Sequence, residues 1–309
     1  MLGKNGAFGF APDGVAAVSE LLRRFGDSSN VPDPLDGARY ELALASRMLA
    51  NEGVLDAFGH VSLRHPADPG RYLLARSRSP QLVEPADVLE FTLDSQPVAP
   101  PAVQLFAERV IHGCLFEARS DVMAVCHHHA PAVLPFAIAG VPIVPVFHLG
   151  AAMGETLPFW DQRDEFGDTN LLVVKPEEGR SLARALGGHA AVLMTHHGAT
   201  VVGKDLRELV SRTIFMCRNA EFQLQAQMLG KVVPLSSGET KLAGSLNALP
   251  NVVGRTWEYW TMRLAEAGRL PPRGPTSSKT SSSSRKTSAT AASKTSSNKR
   301  KRITRRTRS

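Results

Sequence analysis

The segment Ala124-Val125-Cys126-His127-His128-His129 most constrains the fold, because an apolar run ending in three consecutive histidines leaves few ways to place the imidazoles. On a β-strand alternate side chains share a face, so His127 and His129 point into one cavity while His128 points away. Two imidazoles at i and i+2 make a chelating pair of the kind that zinc, iron or manganese accepts. Upstream, a helical pattern carries Glu108; downstream, a second strand-like run, Ala191 to Thr195, ends at His196, His197 and Gly198. Eight of the ten histidines lie between His112 and His197, and burying several of them without a ligand or counter-charge is costly. These residues predict a metal centre built from Glu108, His127, His129 and His197. Cys126 shares the orientation of His128 and is expected to stay outside it.

The basic charge does not contradict an enzyme body. The net charge is +7, but residues 273–309 hold 12 of the 36 Lys and Arg and no acid, which leaves residues 1–272 with 24 basic against 29 acidic groups. The folded part is therefore mildly acidic. The three isolated cysteines, Cys114, Cys126 and Cys217, fit reduced, buried thiols and a cytoplasmic location. The first residues lack the charged start and apolar core of a signal peptide. The most apolar stretch, Ala130 to Gly154, is interrupted by four prolines, whereas a membrane span needs about 20 apolar residues in a row.

Residues 1–34 read as an arm, with a short amphipathic helix around Val15–Phe25 and a Ser/Asn/Pro/Asp linker. A domain over 35–270 begins with a helix from Asp36 to Asn51 that ends at a capping Gly53. A strand pair around Phe58–Pro66 and Arg71–Pro80 follows, then a strand from Asp87 and the Glu108 helix. Beyond the histidine strand, Val144–Leu149 with His148 and Asn170–Lys175 read as further strands. The second of these opens a βαβ-like stretch through a helix at Glu177–Leu186 and the strand at Ala191. A long helix from Asp205 to Leu229 and a last, aromatic-rich one at Trp257–Gly268 complete the domain, with Asp205 as a plausible N-cap. From 271 to 309 the Ser/Thr/Lys/Arg-rich sequence cannot bury enough surface to offset its ordering entropy, so disorder is expected. Its Lys299–Arg302 cluster could bind nucleic acid or another anionic surface without sequence preference, beside the blander reading of a solvated appendage.

The order Gly59-His60-Val61-Ser62, a helical Glu108, His127-His128-His129 and His196-His197-Gly198-Ala199 resembles the class II aldolase/adducin family over roughly residues 36–265. The resemblance implies a three-layer α/β/α sandwich with a mixed, largely antiparallel central sheet, commonly assembled as a homotetramer. It also implies metal ligation by His127, His129 and His197, one divalent ion per subunit, and an acid/base role for Glu108. Zinc is the first choice, with manganese, iron or cobalt as alternatives. Where sugar-phosphate aldolases of the family carry Gly-Asn and Ser-Gly pairs, this chain has Gly59-His60 and Arg76-Ser77-Arg78-Ser79, so the donors that cradle a phosphate are missing. Guanidinium groups pair bidentately with carboxylates. Gly59, His60, Ser62, Arg76, Ser77, Arg78 and His148 are accordingly expected to line a small-molecule carboxylate substrate. His112 either orients Glu108 or is simply packed, His128 and His196 are expected to be structural, and Tyr259 either packs or reaches a neighbouring subunit.

The motifs look most like the decarboxylase branch of the family, assigned to hydroxycarboxymuconic semialdehyde or dihydroxyphthalate in aromatic-acid breakdown. Loss of CO2 and aldol cleavage both develop enolate charge that a Lewis-acidic metal can stabilise. The leading expectation is thus a metal-dependent decarboxylase working through a metal-stabilised enolate. An aldolase or epimerase acting on a hydroxy-carbonyl compound is the alternative, and an adducin-like scaffold without chemistry the third reading.

Overall fold

The computed structural model describes residues 34–273. The helix expected around Val15–Phe25 and the tail from residue 274, for which disorder is expected, lie outside the described residues. The chain enters through helix α1 (Pro34–Asn51) and strands β1 (His60–Arg64), β2 (Arg71–Ala75) and β3 (Val88–Thr92). Helix α2 (Arg109–Ala118) leads to β4 (Ala124–His128), the short α3 (Leu134–Ala139) and β5 (Phe159–Trp160). Then come α4 (Arg163–Phe166), α5 (Pro176–Leu186), β6 (Ala191–Met194), β7 (Gly198–Gly203), α6 (Leu206–Leu229), α7 (Ser237–Asn247) and α8 (Pro250–Glu266). The strands form one seven-stranded sheet in the order β3-β2-β1-β4-β7-β6-β5. Every neighbouring pair is antiparallel except β5 with β6.

Strand alternation divides the core into two apolar layers. Val61, Leu73, Ala124, Cys126, Leu193 and Val201 face α1, α6 and α8, where Leu42, Met48, Leu209, Ile214, Trp257 and Trp260 complete the packing. Tyr72, Leu74, Val125, Val192, Met194 and Val202 face the other way, against Ile111 and Leu115 of α2 and Leu182 and Leu186 of α5. Each such aliphatic side chain contributes about 1.5–3 kcal/mol through burial. A sheet covered on both faces is the expected three-layer α/β/α arrangement. Arg64 ties the layers together: its guanidinium donates to the carbonyls of Phe116, Arg119, Val122 and Pro69. The first two lie at the C-terminal end of α2, where carbonyls lack helical partners. This clamp fixes α2, and hence Glu108 at its other end, against β1.

Two expected strands are not strands. Asn170–Lys175 is loop, because its backbone N–H groups bond to side chains: Leu171 to Thr169, Leu172 to Asn170, Val173 to Glu108, and Val174 and Lys175 to Glu178. The parallel partner of β6 is instead the two-residue β5. Val144–Leu149 is also not a strand, since Pro142 and Pro145 lack N–H groups and the amides of Asn219 and Gln223 on α6 bond its backbone. His148 therefore sits on an exposed turn, its carbonyl accepting a bond from Asn247. Among the described residues no helix is long and apolar enough to cross a membrane.

Candidate metal centre

The site grows from one row of the sheet. Register pairs His60 of β1 with His127 of β4, and His127 with Thr200 of β7, so these three side chains stand level on the α2/α5 face. His128 points to the opposite face, where it is fully buried. His129 follows the last residue of β4, and His197 ends the three-residue turn joining β6 to β7. His196 takes the left-handed conformation in that turn, φ 59°. Gly198 is needed next, because a Cβ there would meet the His128 carbonyl and the His129 ring. Glu108 is the residue before the first turn of α2 and folds its carboxylate inward.

The donor atoms of Glu108, His127, His129 and His197 all lie within 4.8 Å of one another. The His127 and His129 Nε2 atoms are 3.0 Å apart. Glu108 Oε2 lies 3.8 Å from His127 Nε2, and Oε1 lies 3.5 Å from His197 Nε2. Burial pushes the Glu108 carboxyl up to about 7, against the lowering effect of the hydrogen bond from the Val173 N–H at 2.9 Å. Burial also lowers all three imidazoles: His127 well below its ordinary value, His197 to about 4, and His129 less, with nearby Asp56 opposing. The site thus presents three neutral imidazoles and a carboxyl that can hold or release a proton.

These donors suit a divalent ion. The Thr200 hydroxyl donates to Met194 Sδ, so it accepts from His127 Nδ1–H at 3.2 Å and leaves the His127 Nε2 lone pair facing the cluster. Two imidazole nitrogens 3.0 Å apart need a cation or proton between them. Three nitrogens and a carboxylate match zinc, manganese, iron or cobalt.

The remaining expected residues fall into three places. His60 packs beside the cluster, its ring 5.3 Å from that of His127 and 4.6 Å from that of Phe106. Ser62 is fully buried and bonds His112, which resolves His112 as a partner of His60 and Ser62 rather than of Glu108. Gly59, at φ 85°, lets the chain pass against the His127 carbonyl. Arg76 Nε and Arg78 Nη1 each lie 2.6 Å from Asp87, on opposite carboxylate oxygens. Ser77 N–H donates to Gln104, four residues before Glu108, which ties this arginine segment to the approach to the site. His148 joins none of these groups, Cys126 lies in the opposite apolar layer, and Tyr259 is exposed beside buried Trp260. Sequence reasoning missed Thr200, Val173 and Asp87. The Thr200 position was readable from strand alternation; the other two required the loops.

Residues 40–224 match the family model described as Class II Aldolase and Adducin N-terminal domain. The chain belongs to the class II aldolase and adducin family. Within it, the chain is 29% identical over 245 residues to Decarboxylase tropJ of Talaromyces stipitatus, covering 72% of this chain and 92% of that protein. It is also 29% identical over 230 residues to the 3,4-dihydroxyphthalate decarboxylase of Arthrobacter keyseri, covering 70% and 84%. The L-fuculose 1-phosphate aldolase of Glaciozyma antarctica PI12 superposes with a TM-score of 0.64 at 17% identity, over 79% of this chain and 98% of that one. That structural likeness establishes the class II aldolase fold.

Proposed function

We propose that this chain is a divalent-metal-dependent carbon–carbon lyase that decarboxylates a hydroxylated aromatic or ring-cleavage polycarboxylate. The observation that carries the reading is the pairing of a protonatable Glu108 with three converging neutral imidazoles. The resemblance to two proteins named decarboxylases favours CO2 as the leaving fragment. His127, His129 and His197 would hold the ion, which when bound supplies Lewis acidity toward oxygens of the substrate.

The chain's own groups perform the rest. Glu108, near neutrality in its acid strength, holds a proton at its carboxyl and passes it to the substrate carbon from which CO2 departs. Val173 N–H keeps that carboxyl turned toward the imidazoles. Arg76 spends its Nε on Asp87, and among the described residues its two terminal nitrogens have no partner, so their fork can orient a second substrate carboxylate. The wall formed by buried His60 and His127 and half-buried Phe106 limits water around the developing carbanion.

The test is CO2 release by metal-loaded protein given 3,4-dihydroxyphthalate and hydroxycarboxymuconic semialdehyde separately, with His129→Ala alongside. Metal-dependent CO2 from either compound, lost in the variant, is expected. A protein that holds metal, releases no CO2 and cleaves a hydroxy-aldehyde would replace this reading with aldol chemistry.

A further inference from the structure

Behind the four candidate ligands runs a second buried network of neutral side chains. Ser62 Oγ lies 2.5 Å from His112 Nδ1, and His112 Nε2 lies 2.6 Å from His60 Nδ1. Ser62 and His112 are fully buried, and His60 is only 5% exposed. Among the described residues the Ser62 hydroxyl has one partner, His112. A buried hydroxyl proton requires an acceptor, so Ser62 donates and His112 Nδ1 accepts. Burial brings His112 down to about 3, which keeps its ring neutral. Its single proton therefore sits on Nε2 and is donated to His60 Nδ1. The His60 proton is left on Nε2, the end of the ring that makes no hydrogen bond among the described residues.

We propose that Ser62 and His112 form a one-way relay that fixes His60 with its proton on Nε2, as a donor to an anionic oxygen of the substrate. This rests on the proposed function for the identity of that oxygen, a carboxylate or phenolate, but not for the direction of the relay. His60 shares a sheet row with His127, so a donor here lies beside the ion-binding cluster rather than at the arginine segment. Ser62 and His112 are positioning residues that act through His60. The relay accounts for a serine and a histidine on the buried face of β1 and α2, where apolar side chains would otherwise complete the layer.

Long-range 1H–15N correlation spectra of the full chain labelled with 15N-histidine read the proton positions directly, with assignment from His60→Gln and His112→Gln. Both rings are expected as Nε2–H tautomers. In Ser62→Ala, His112 loses its fixed acceptor role and His60 is expected to become a mixture of tautomers, while bound metal stays near wild type and the melting temperature falls only by the several degrees that one unpaired buried acceptor costs. Because these spectra need no substrate, their outcome is separate from that of the decarboxylation assay. In an active enzyme Ser62→Ala should raise KM about 3–10-fold with a smaller change in kcat, the scale of one misaligned hydrogen bond to a charged oxygen. His60→Gln, which keeps an N–H donor at similar reach, should retain more affinity than His60→Phe. An Nδ1–H tautomer of His60 in the wild-type protein overturns the relay, and so does a Ser62→Ala variant whose His60 tautomer is unchanged.

Discussion

Glu108→Gln should make the metal-free protein more stable at alkaline pH, and by a calculable amount. The wild-type carboxyl rises from an ordinary 4.5 to about 7 because it is buried among imidazoles that cannot charge to meet it. Below pH 4.5 the carboxyl is protonated in both folded and unfolded chains, so the linkage is absent. Between about 4.5 and 7 the unfolded chain releases its proton while the folded one retains it, so stability falls as pH rises. Each pH unit in this window is worth about 1.4 kcal/mol, and the whole window about 3 kcal/mol. Glutamine cannot ionise and escapes the loss. Subtracting wild type from variant also cancels the histidine titrations common to both. Thermal melts of chelator-treated protein should therefore show a difference that grows from pH 4.5 to 7 and then levels, reaching about 6–12 °C for a domain of this size. A difference that stays flat across pH would show that Glu108 ionises normally, and would remove it as the proton store.

Four further outcomes follow from the site's geometry. With metal bound, Glu108→Gln should lower turnover by about 10²–10⁴ while metal content, read by elemental analysis, stays near wild type. Thr200→Val takes away the acceptor for His127 Nδ1–H and should weaken metal binding about 10–100-fold in competition with a chromophoric chelator. Gly198→Ala drives a methyl into the His128 carbonyl and His129 ring and should cost about 1–3 kcal/mol in urea unfolding, with metal content reduced. Burial would raise the Asp87 carboxyl, but bonds from Arg76, the Glu84 N–H and Arg78 outweigh it and hold it below its ordinary 3.8. Its stabilisation is thus present above the ordinary value and lost as pH falls from there through the lowered folded one, so Asp87→Asn should lower the urea midpoint at pH 7 by an amount that shrinks progressively as pH falls below 3.8.

The grouping of Glu108, His127, His129 and His197 was legible because it depends on local rules. The two-residue period of a strand separates His127 from His128, and Cys126 goes with the latter. The long α6 was equally readable from Asp205, whose side chain accepts from the Glu208 N–H as an N-cap should. What failed were apolar segments whose hydrogen bonds leave the backbone ladder. Asn170–Lys175 has the composition of a strand, yet its donors are taken by Thr169, Asn170, Glu108 and Glu178, and one of these, Glu108, is distant in sequence. Val144–Leu149 was misread for the same reason, with Asn219 and Gln223 standing in for a neighbouring strand. Helix α7 was overlooked although Ser236 and Glu239 form a capping box, a signal present in the sequence. The arginine pair looked free to meet a substrate, but a chain read in order gives no sign that Asp87 already bridges it.

The spacing of the three histidines along the chain has a consequence for the fold as a whole. His127 lies on β4 and His197 follows β6, so about seventy residues run between the outermost of them. An ion held by His127, His129 and His197 would work as a clasp, closing into one loop the proline-rich segment and the β5–β6 crossover. An ion that binds the folded chain and leaves on unfolding stabilises the fold by mass action, more so as free metal rises. The reaction centre would then also be the fastener of the domain, so that taking away the ion loosens the fold along with the chemistry.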